Sequence, residues 1–399
     1  MSDRWPLEEL GLLGVKVLDC EHKTPRDAGS GYPYVAIPNI VDGRLDLNSV
    51  RRITQQDFEL WTRRTKPRQG DLIITRRGRV GDTAAVPRGL ECAIGQNLVI
   101  ARSDGSRIDQ RYLRWATRGE HWESEVDRLL NVGAVFSSLN VRDIPRIRVY
   151  VPPMRMQRGI ADALDALDDK IAVNERIAAT ARELGLNLVR QALETRSHEH
   201  EVGALAELIS RGVTPRYSLS DNDLLVLNQK CIRNGRVSLE PGRFTLRDKV
   251  PDGKKLRLHD ILVNSTGVGT LGRVARWTLA RECTVDTHVT IVRFDPAKTD
   301  QVCAGFAMLL AQPAIEAMGE GSTGQTELSR VKLAGMRLRL PDSEAMGNLR
   351  PALDVLEARG DQALAESRDL GHLRDALLPK LVSGEIRVRE VEKVVEDAT

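Results

Sequence analysis

The chain has 399 residues, more than one ordinary domain holds, with 41% hydrophobic residues and a net charge of only +3. Five cysteines without a CxxC pair argue against a disulfide-built scaffold and suit reduced thiols. No apolar run reaches the roughly 18 residues of a membrane span, and the start MSDRWPLEEL lacks a signal-peptide core, so the expectation is a soluble, cytoplasmic protein with no membrane partner.

In chain order, residues 1–153 read as strand and loop with short helices near 54–64 and 109–125. Lys66-x-Arg68-x-x-Asp71 precedes Leu72-Ile73-Ile74, a run that predicts a buried strand. The loop after it carries Thr75, Arg76, Arg77 and Arg79 among Gly78 and Gly81. Glycine lets backbone approach a ligand, and hydroxyl and guanidinium groups meet phosphates or base edges; the alternative is a polar turn. Gln96 and Asn97 follow Cys92, and their amides suit two-point contacts with adenine unless the strand they lead into buries them. The alternating strand Ile147, Val149, Val151 is stopped by Pro152.

Over 154–197 the period changes to that of a central helix. Ile160, Leu164, Leu167, Ile171, Asn174, Ala178, Ala181, Gly185, Leu188 and Ala192 step by four and three, as in a coiled-coil seam. About 33 residues of seam make a helix about 50 Å long. Packing on its own β-domain alone would give a broader apolar face. Asn174 fits a register-fixing polar pair, and the small residues permit close approach. Residues 195–201 read as a short polar linker, where His198 and His200 are solvated rather than metal-binding.

Residues 198–342 repeat the first unit, with a helix near 302–318. Thr24-Pro25-Arg26 recurs as Thr214-Pro215-Arg216, and Asp42-Gly43-Arg44 as Asn234-Gly235-Arg236. Lys66-x-Arg68-x-x-Asp71 recurs as Lys255-x-Arg257-x-x-Asp260 beside Lys254, and matched residues lie 189 to 192 apart. The loop counterpart holds Asn264, Ser265, Thr266 and Arg273, and Thr287-His288 replaces Gln96-Asn97. Framing strands agree while loop side chains differ, as two heads with one fold and two targets would require. The seam returns within a second helix spanning 343–389, strongest over 345–382 and closed by Ser383-Gly384, before a charged tail at 390–399. Arg374 stands at a seam position, where either Leu373 turns inward instead or the seam frays.

The fold class that follows is α+β: two β-rich target-recognition domains separated by two long helices forming an antiparallel coiled coil, an internal duplication with a pseudo-two-fold axis. Two similar heads on a spacer fit a bipartite ligand, and duplex DNA offers half-sites about 34–36 Å apart per turn. Aromatic residues, 4% of the chain, do not interleave with basic ones, which favours duplex over single-stranded nucleic acid. The alternative from another class is a coiled-coil scaffold that pairs two β-domains for protein partners without reading DNA. Gly267-x-Gly269-x-x-Gly272 matches the dinucleotide fingerprint, but Arg273 to Trp277 reads as a strand, leaving no helix N-terminus for a phosphate. With no phosphate-loop lysine motif, serine elbow or adenine-methyltransferase tetrapeptide, the chain reads as a binding subunit without catalytic, metal or cofactor residues.

Three segments carry a family resemblance: Gly70-Asp71-Leu72-Ile73, Val151-Pro152-Pro153 with Gln157-Arg158 leading to Leu167-Asp168-Asp169-Lys170-Ile171, and Leu377-Leu378-Pro379-Lys380-Leu381-Val382-Ser383-Gly384-Glu385-Ile386. They resemble the specificity subunit of type I restriction–modification systems over nearly the whole chain. The resemblance implies two target-recognition domains, each reading half of a bipartite site in double-stranded DNA. It also implies two modification (methyltransferase) subunits docked on the helices, methylating adenine with S-adenosylmethionine, and restriction (motor-nuclease) subunits using ATP and Mg²⁺. None of those cofactors belongs to this chain. Two departures stand out: His259 replaces the glycine found at Gly70, and the second helix begins without Gln-Arg, so the two helix starts differ as docking surfaces.

Overall fold

The computed structural model describes residues 4–21, 23–132, 137–320 and 327–387, and the chain divides into two compact units, 1–172 with 367–399, and 173–366. The tail at 390–399 lies outside the described residues. Each unit contains one β-rich domain and one part of each long helix.

In the first unit, Leu72–Thr75 is an inner strand between Leu98–Ser103 and Thr83–Ala85, with Val15–Asp19 at the far edge. Side chains alternate across the sheet, so Leu72 and Ile74 enter one core and Ile73 the other. That is why the run is apolar throughout. Asp71 is fully enclosed and accepts Arg102 Nε at 2.7 Å and Nη2 at 2.6 Å, along with the Arg68 amide at 2.7 Å. In the second unit the inner strand is Ile261–Asn264, flanked by Val289–Phe294 and Val274–Arg276, and Asp260 holds Arg293 at 2.7 and 2.6 Å with the Arg257 amide at 2.8 Å. The repeated Lys-x-Arg-x-x-Asp motif is therefore first a structural clamp. His259 adopts φ +71° where Gly70 adopts +82°, a left-handed conformation that glycine occupies without strain.

The helix expected at 109–125 is two, Gln110–Ala116 and Glu120–Arg128, interrupted at Gly119 with φ +82°. Its repeat also breaks, into Gln301–Leu310 and Gln312–Ala317, the second opening on Pro313. The expected linker 195–201 is corrected: Ser197–Glu201 is a strand paired antiparallel with Arg337–Pro341. The matching pair in the first unit is Leu7–Glu9 with Arg148–Tyr150. His198 to Glu201 face solvent, so the ladder needs no apolar residue there and composition did not reveal it.

The long helices span Met154–Thr195 and Ser343–Ser383. Within the first unit they run antiparallel, Ile171 opposite Ser367 and Asp168 opposite Arg374. Within the second, Asn174 Nδ2 donates to Glu366 at 2.9 Å, and Leu186 and Val189 cluster with Leu349 and Leu353. The two packing alternatives are not exclusive, because each helix part packs on its helical partner and on its own β-domain together. Ile160, Leu164 and Leu167 share one core with Tyr112, Trp115, Leu370 and Leu381. A Cβ on Gly185 would lie 2.6 Å from the Phe306 ring, and one on Gly360 would lie 2.8 Å from Arg236. These small residues admit the β-domain first, and at Gly185 Leu353 of the other helix also approaches, to 3.5 Å.

The seam arginine also differs from expectation. Arg374 itself turns inward and pairs with Asp168 at 2.6 Å, while Arg44 reaches the same carboxylate at 3.1 Å and Arg114 completes the cluster. Burial alone would raise the Asp168 carboxyl, but Arg114, Arg44 and Arg374 together hold it below its ordinary value. Arg44 follows a tight hairpin turn, with Asp42 at φ +49° and Gly43 at +77°. Asp168→Ala strands buried guanidinium groups and should cost the first unit about 3 kcal/mol at neutral pH. The loss should shrink as pH falls through the lowered Asp168 value, since protonation removes the same pairs from the native chain. Denaturant melts of both proteins at neutral and acid pH measure it.

Candidate nucleic-acid interface

Four backbone segments meet where the inner strand ends. In the first unit the Arg76 amide donates to Asn97 O at 2.8 Å, the Leu139 amide donates to Arg76 O at 3.0 Å, and Arg77 bridges Ser138. Arg79 Nη2 joins the fourth segment by donating to Ile37 O at 2.8 Å. In the second unit the Ser265 amide donates to His288 O at 2.8 Å, the Leu328 amide to Ser265 O at 2.8 Å, and Thr266 bridges Glu327. Asn264 Nδ2 donates to Gln229 O at 3.0 Å. One hydrogen-bond frame thus carries two different sets of side chains.

On the first frame Arg77 and Gln96 are exposed, and Arg76 and Asn97 half-buried. Gln96 and Asn97 line a groove of about 380 Å³ with Thr24, Tyr34, Asn39 and Arg51. Among the described residues neither amide side chain is engaged by the protein, so both keep donor and acceptor for a ligand. Arg79 is exposed but braced, by the carbonyls of Ile37 and Ile40 and by Asp82 at 3.2 Å. On the second frame Thr266 Oγ1 lies 2.7 Å from His288 Nδ1, which fixes the ring and leaves His288 exposed beside half-buried Thr287. Arg273 Nη2 donates to Gly269 O at 2.8 Å.

Several expected contact residues sit elsewhere. Thr75, Asn264 and Ser265 are fully enclosed, and this corrects their assignment as contact residues. Thr75 bonds to Arg79 O, Asn264 also bonds to Thr270 O at 3.1 Å, and Ser265 bonds to Thr290. Thr75 and Asn264 satisfy loop carbonyls at the end of a buried strand, and Ser265 closes against a strand hydroxyl, so none of the three faces solvent. Lys66, Arg68, Lys255 and Arg257 lie before the inner strands, whose four residues rise about 13 Å, and so at the end opposite the loops that follow them. There Lys66 pairs with Glu91 at 2.7 Å, Lys255 with Glu282 at 3.0 Å and Arg257 with Glu207 at 3.2 Å. Lys254 donates to Arg211 O at 2.6 Å, and burial followed by Arg330 pushes its ammonium below the usual value. Sequence reasoning missed Ser138, Glu327, Gln229 and Arg51. Ser138-Leu139 and Glu327-Leu328 lie 189 residues apart, so extending the repeat alignment would have exposed that segment.

Residues 21–182 match the family model described as the type I restriction modification DNA specificity domain. A putative type I restriction enzyme MjaX specificity subunit from Methanocaldococcus jannaschii is 27% identical over 106 residues, 27% of this chain and 24% of that protein. The match therefore spans about a quarter of that relative's length. A crystal structure of a type I restriction–modification system S subunit from M. genitalium aligns with TM-score 0.57 and 17% identity, over 95% of this chain and 96% of that one. That likeness establishes the fold.

Burial sorts the loop residues into frame and display, and stability measures the sorting. Asn264→Ala removes an enclosed donor from two half-buried carbonyls and should cost about 2 kcal/mol in a denaturant melt. Arg77→Ala, on the exposed side of the first frame, should change stability by no more than about 0.5 kcal/mol.

Proposed function

We propose that this chain is the specificity subunit of a type I restriction–modification system, that it reads a bipartite sequence in double-stranded DNA and that it carries no catalytic step itself. The observation that supports this most is the shared hydrogen-bond frame with different displayed side chains. It leaves Arg77, Gln96 and Asn97 on one domain, and Thr266, Thr287 and His288 on the other. Guanidinium, amide, hydroxyl and imidazole groups suit base edges and phosphates, and each set would read its own half-site.

In this reading two modification subunits dock on the long helices and methylate adenine with S-adenosylmethionine. Restriction subunits, with ATP and Mg²⁺, cleave unmodified DNA. The chain works in the cytoplasm and binds none of those cofactors; its contribution is to place the partners on a chosen sequence. Among the described residues no helix is long and apolar enough to cross a membrane, and no cluster of ligating side chains suits a metal.

Co-expression with the modification subunit should produce adenine methylation at a split motif across the host genome. A methylome without a split motif overturns the proposal. A second measurement concerns the helices, which would set the unspecified spacer between half-sites. Deleting seven residues from each, within 164–188 and the opposing part of the second helix, removes about 10 Å of rise, or about three base pairs. The methylated motif should then have a shorter spacer, or methylation should be lost; an unchanged spacer contradicts that role.

A further inference from the structure

The loop of the second unit displays one apolar side chain where its counterpart displays none. In the first unit, the Gly81 amide closes onto Thr75 O at 3.0 Å around residues 76–80; in the second, the Gly272 amide closes onto Asn264 O at 2.8 Å around residues 265–271. The anchors are equivalent, and the second loop is two residues longer. At its tip stands Val268, 82% exposed, between Gly267 at φ +109° and Gly269 at φ +71°. The position matching it from the N-terminal anchor is Arg79, whose guanidinium is folded back onto carbonyls.

This tip is internally tied. The Thr270 and Leu271 amides donate to Gly267 O at 3.1 and 2.9 Å, Arg273 holds Gly269 O at 2.8 Å, and Asn264 holds Thr270 O at 3.1 Å. Gly267 also rests against Gln229, where a Cβ would come within 2.9 Å of the amide oxygen. A loop ordered in this way presents its valine in one place before any ligand arrives, so binding would cost little further ordering. The side chain is purely apolar, and Thr266 and His288 stand at the loop's base. In the major groove of duplex DNA the apolar feature among the base edges is the C5-methyl group of thymine.

We propose that Val268 reads the C5-methyl group of a thymine in the half-site of the second domain, a proposal that rests on the DNA-specificity reading above. The first domain has no equivalent apolar reader at this loop position, so the two half-sites are distinguished by different chemistry: polar edges alone in one, polar edges and a methyl group in the other. The test uses the complex of the full chain with its modification subunit and duplexes carrying the methylome-defined site. Each thymine is replaced in turn by deoxyuridine, which lacks only the methyl group.

With the native chain, one replacement in one half-site should weaken binding about four-fold, the value of one buried methyl-sized group. With Val268→Ala that penalty should disappear, and the thymine duplex should bind about four-fold more weakly than it binds the native chain. Uniform binding of all uracil duplexes, a half-site without thymine, or a penalty that persists in Val268→Ala overturns the valine contact. All three leave the DNA-specificity reading standing, because the split site is still preferred over unrelated duplex. Failure of the native complex to prefer the split site overturns that reading and the valine proposal with it.

Discussion

Each β-rich domain is fixed to its part of the long helices through a helix carboxylate largely withdrawn from water, and the geometry of the unit depends on how that charge is answered. A carboxylate taken out of water is expensive unless guanidinium groups replace its hydration. In the first unit Asp168 receives Arg44 from the hairpin, Arg114 from a short helix and Arg374 from the opposing long helix, which joins three elements at one charge. Glu357, 189 residues further on, is answered by Arg276. With fewer partners, burial dominates, and its carboxyl is pushed above the ordinary value although Arg276 pulls it down.

The two copies reach this arrangement by exchanging a large and a small residue. Arg114 lies five residues after the helix cap Asp109, with its guanidinium 4.7 Å from the Trp115 ring. Five residues after the cap Asp300 stands Gly305, whose missing side chain makes room for Arg276 at the end of the neighbouring strand. Arg276 then lies 4.8 Å from the Phe306 ring, and the first copy has Ala85 at that strand end. Charge, aromatic contact and helix carboxylate persist while the residue supplying the charge moves to another element. The hairpin arginines persist too: Arg236 reaches the Ala178 carbonyl at 2.6 Å, as Arg44 reaches that of Asp168 at 2.9 Å. Duplication thus separates what must be kept for assembly from the loop side chains that are free to change.

What was legible in the sequence follows from this separation. Periodicity is dictated by burial along a whole face, so both long helices, the inner strands and the repeat were plain. The Asp/Asn-Gly turns were plain because few residues occupy left-handed backbone. Individual partners were not legible. Arg374 looked misplaced because its partner Asp168 lies far away in the chain, and only the fold shows that a cation belongs there. Asn264 and Ser265 looked like display residues because polar side chains that satisfy buried backbone have the same composition as polar side chains that face a ligand. The strand Ser197–Glu201 was hidden for a related reason: its stability comes from ladder hydrogen bonds, which leave no apolar signature.

The repeat boundary and the structural boundary also differ, and the reason is local. In the second unit the chain runs directly from the end of the first long helix at Thr195 into the strand beginning at Ser197. In the first unit the equivalent join has no covalent link. Instead the Trp5 amide donates to Ser383 O at 3.2 Å and the indole Nε1 to Leu381 O at 3.4 Å, and the ring packs on Gly384, where a Cβ would lie 2.8 Å from the indole nitrogen. Gly384, at φ +84°, is required by backbone and by neighbour alike. The first unit is therefore closed by the two end regions of the chain, while the second is one uninterrupted segment. Each β-domain takes helix from both repeats, so its mounting includes residues from two distant stretches of sequence. Replacing a β-domain along the repeat boundary would separate Arg374 from Asp168 and Arg236 from the Ala178 carbonyl; replacing it along the structural units would preserve both.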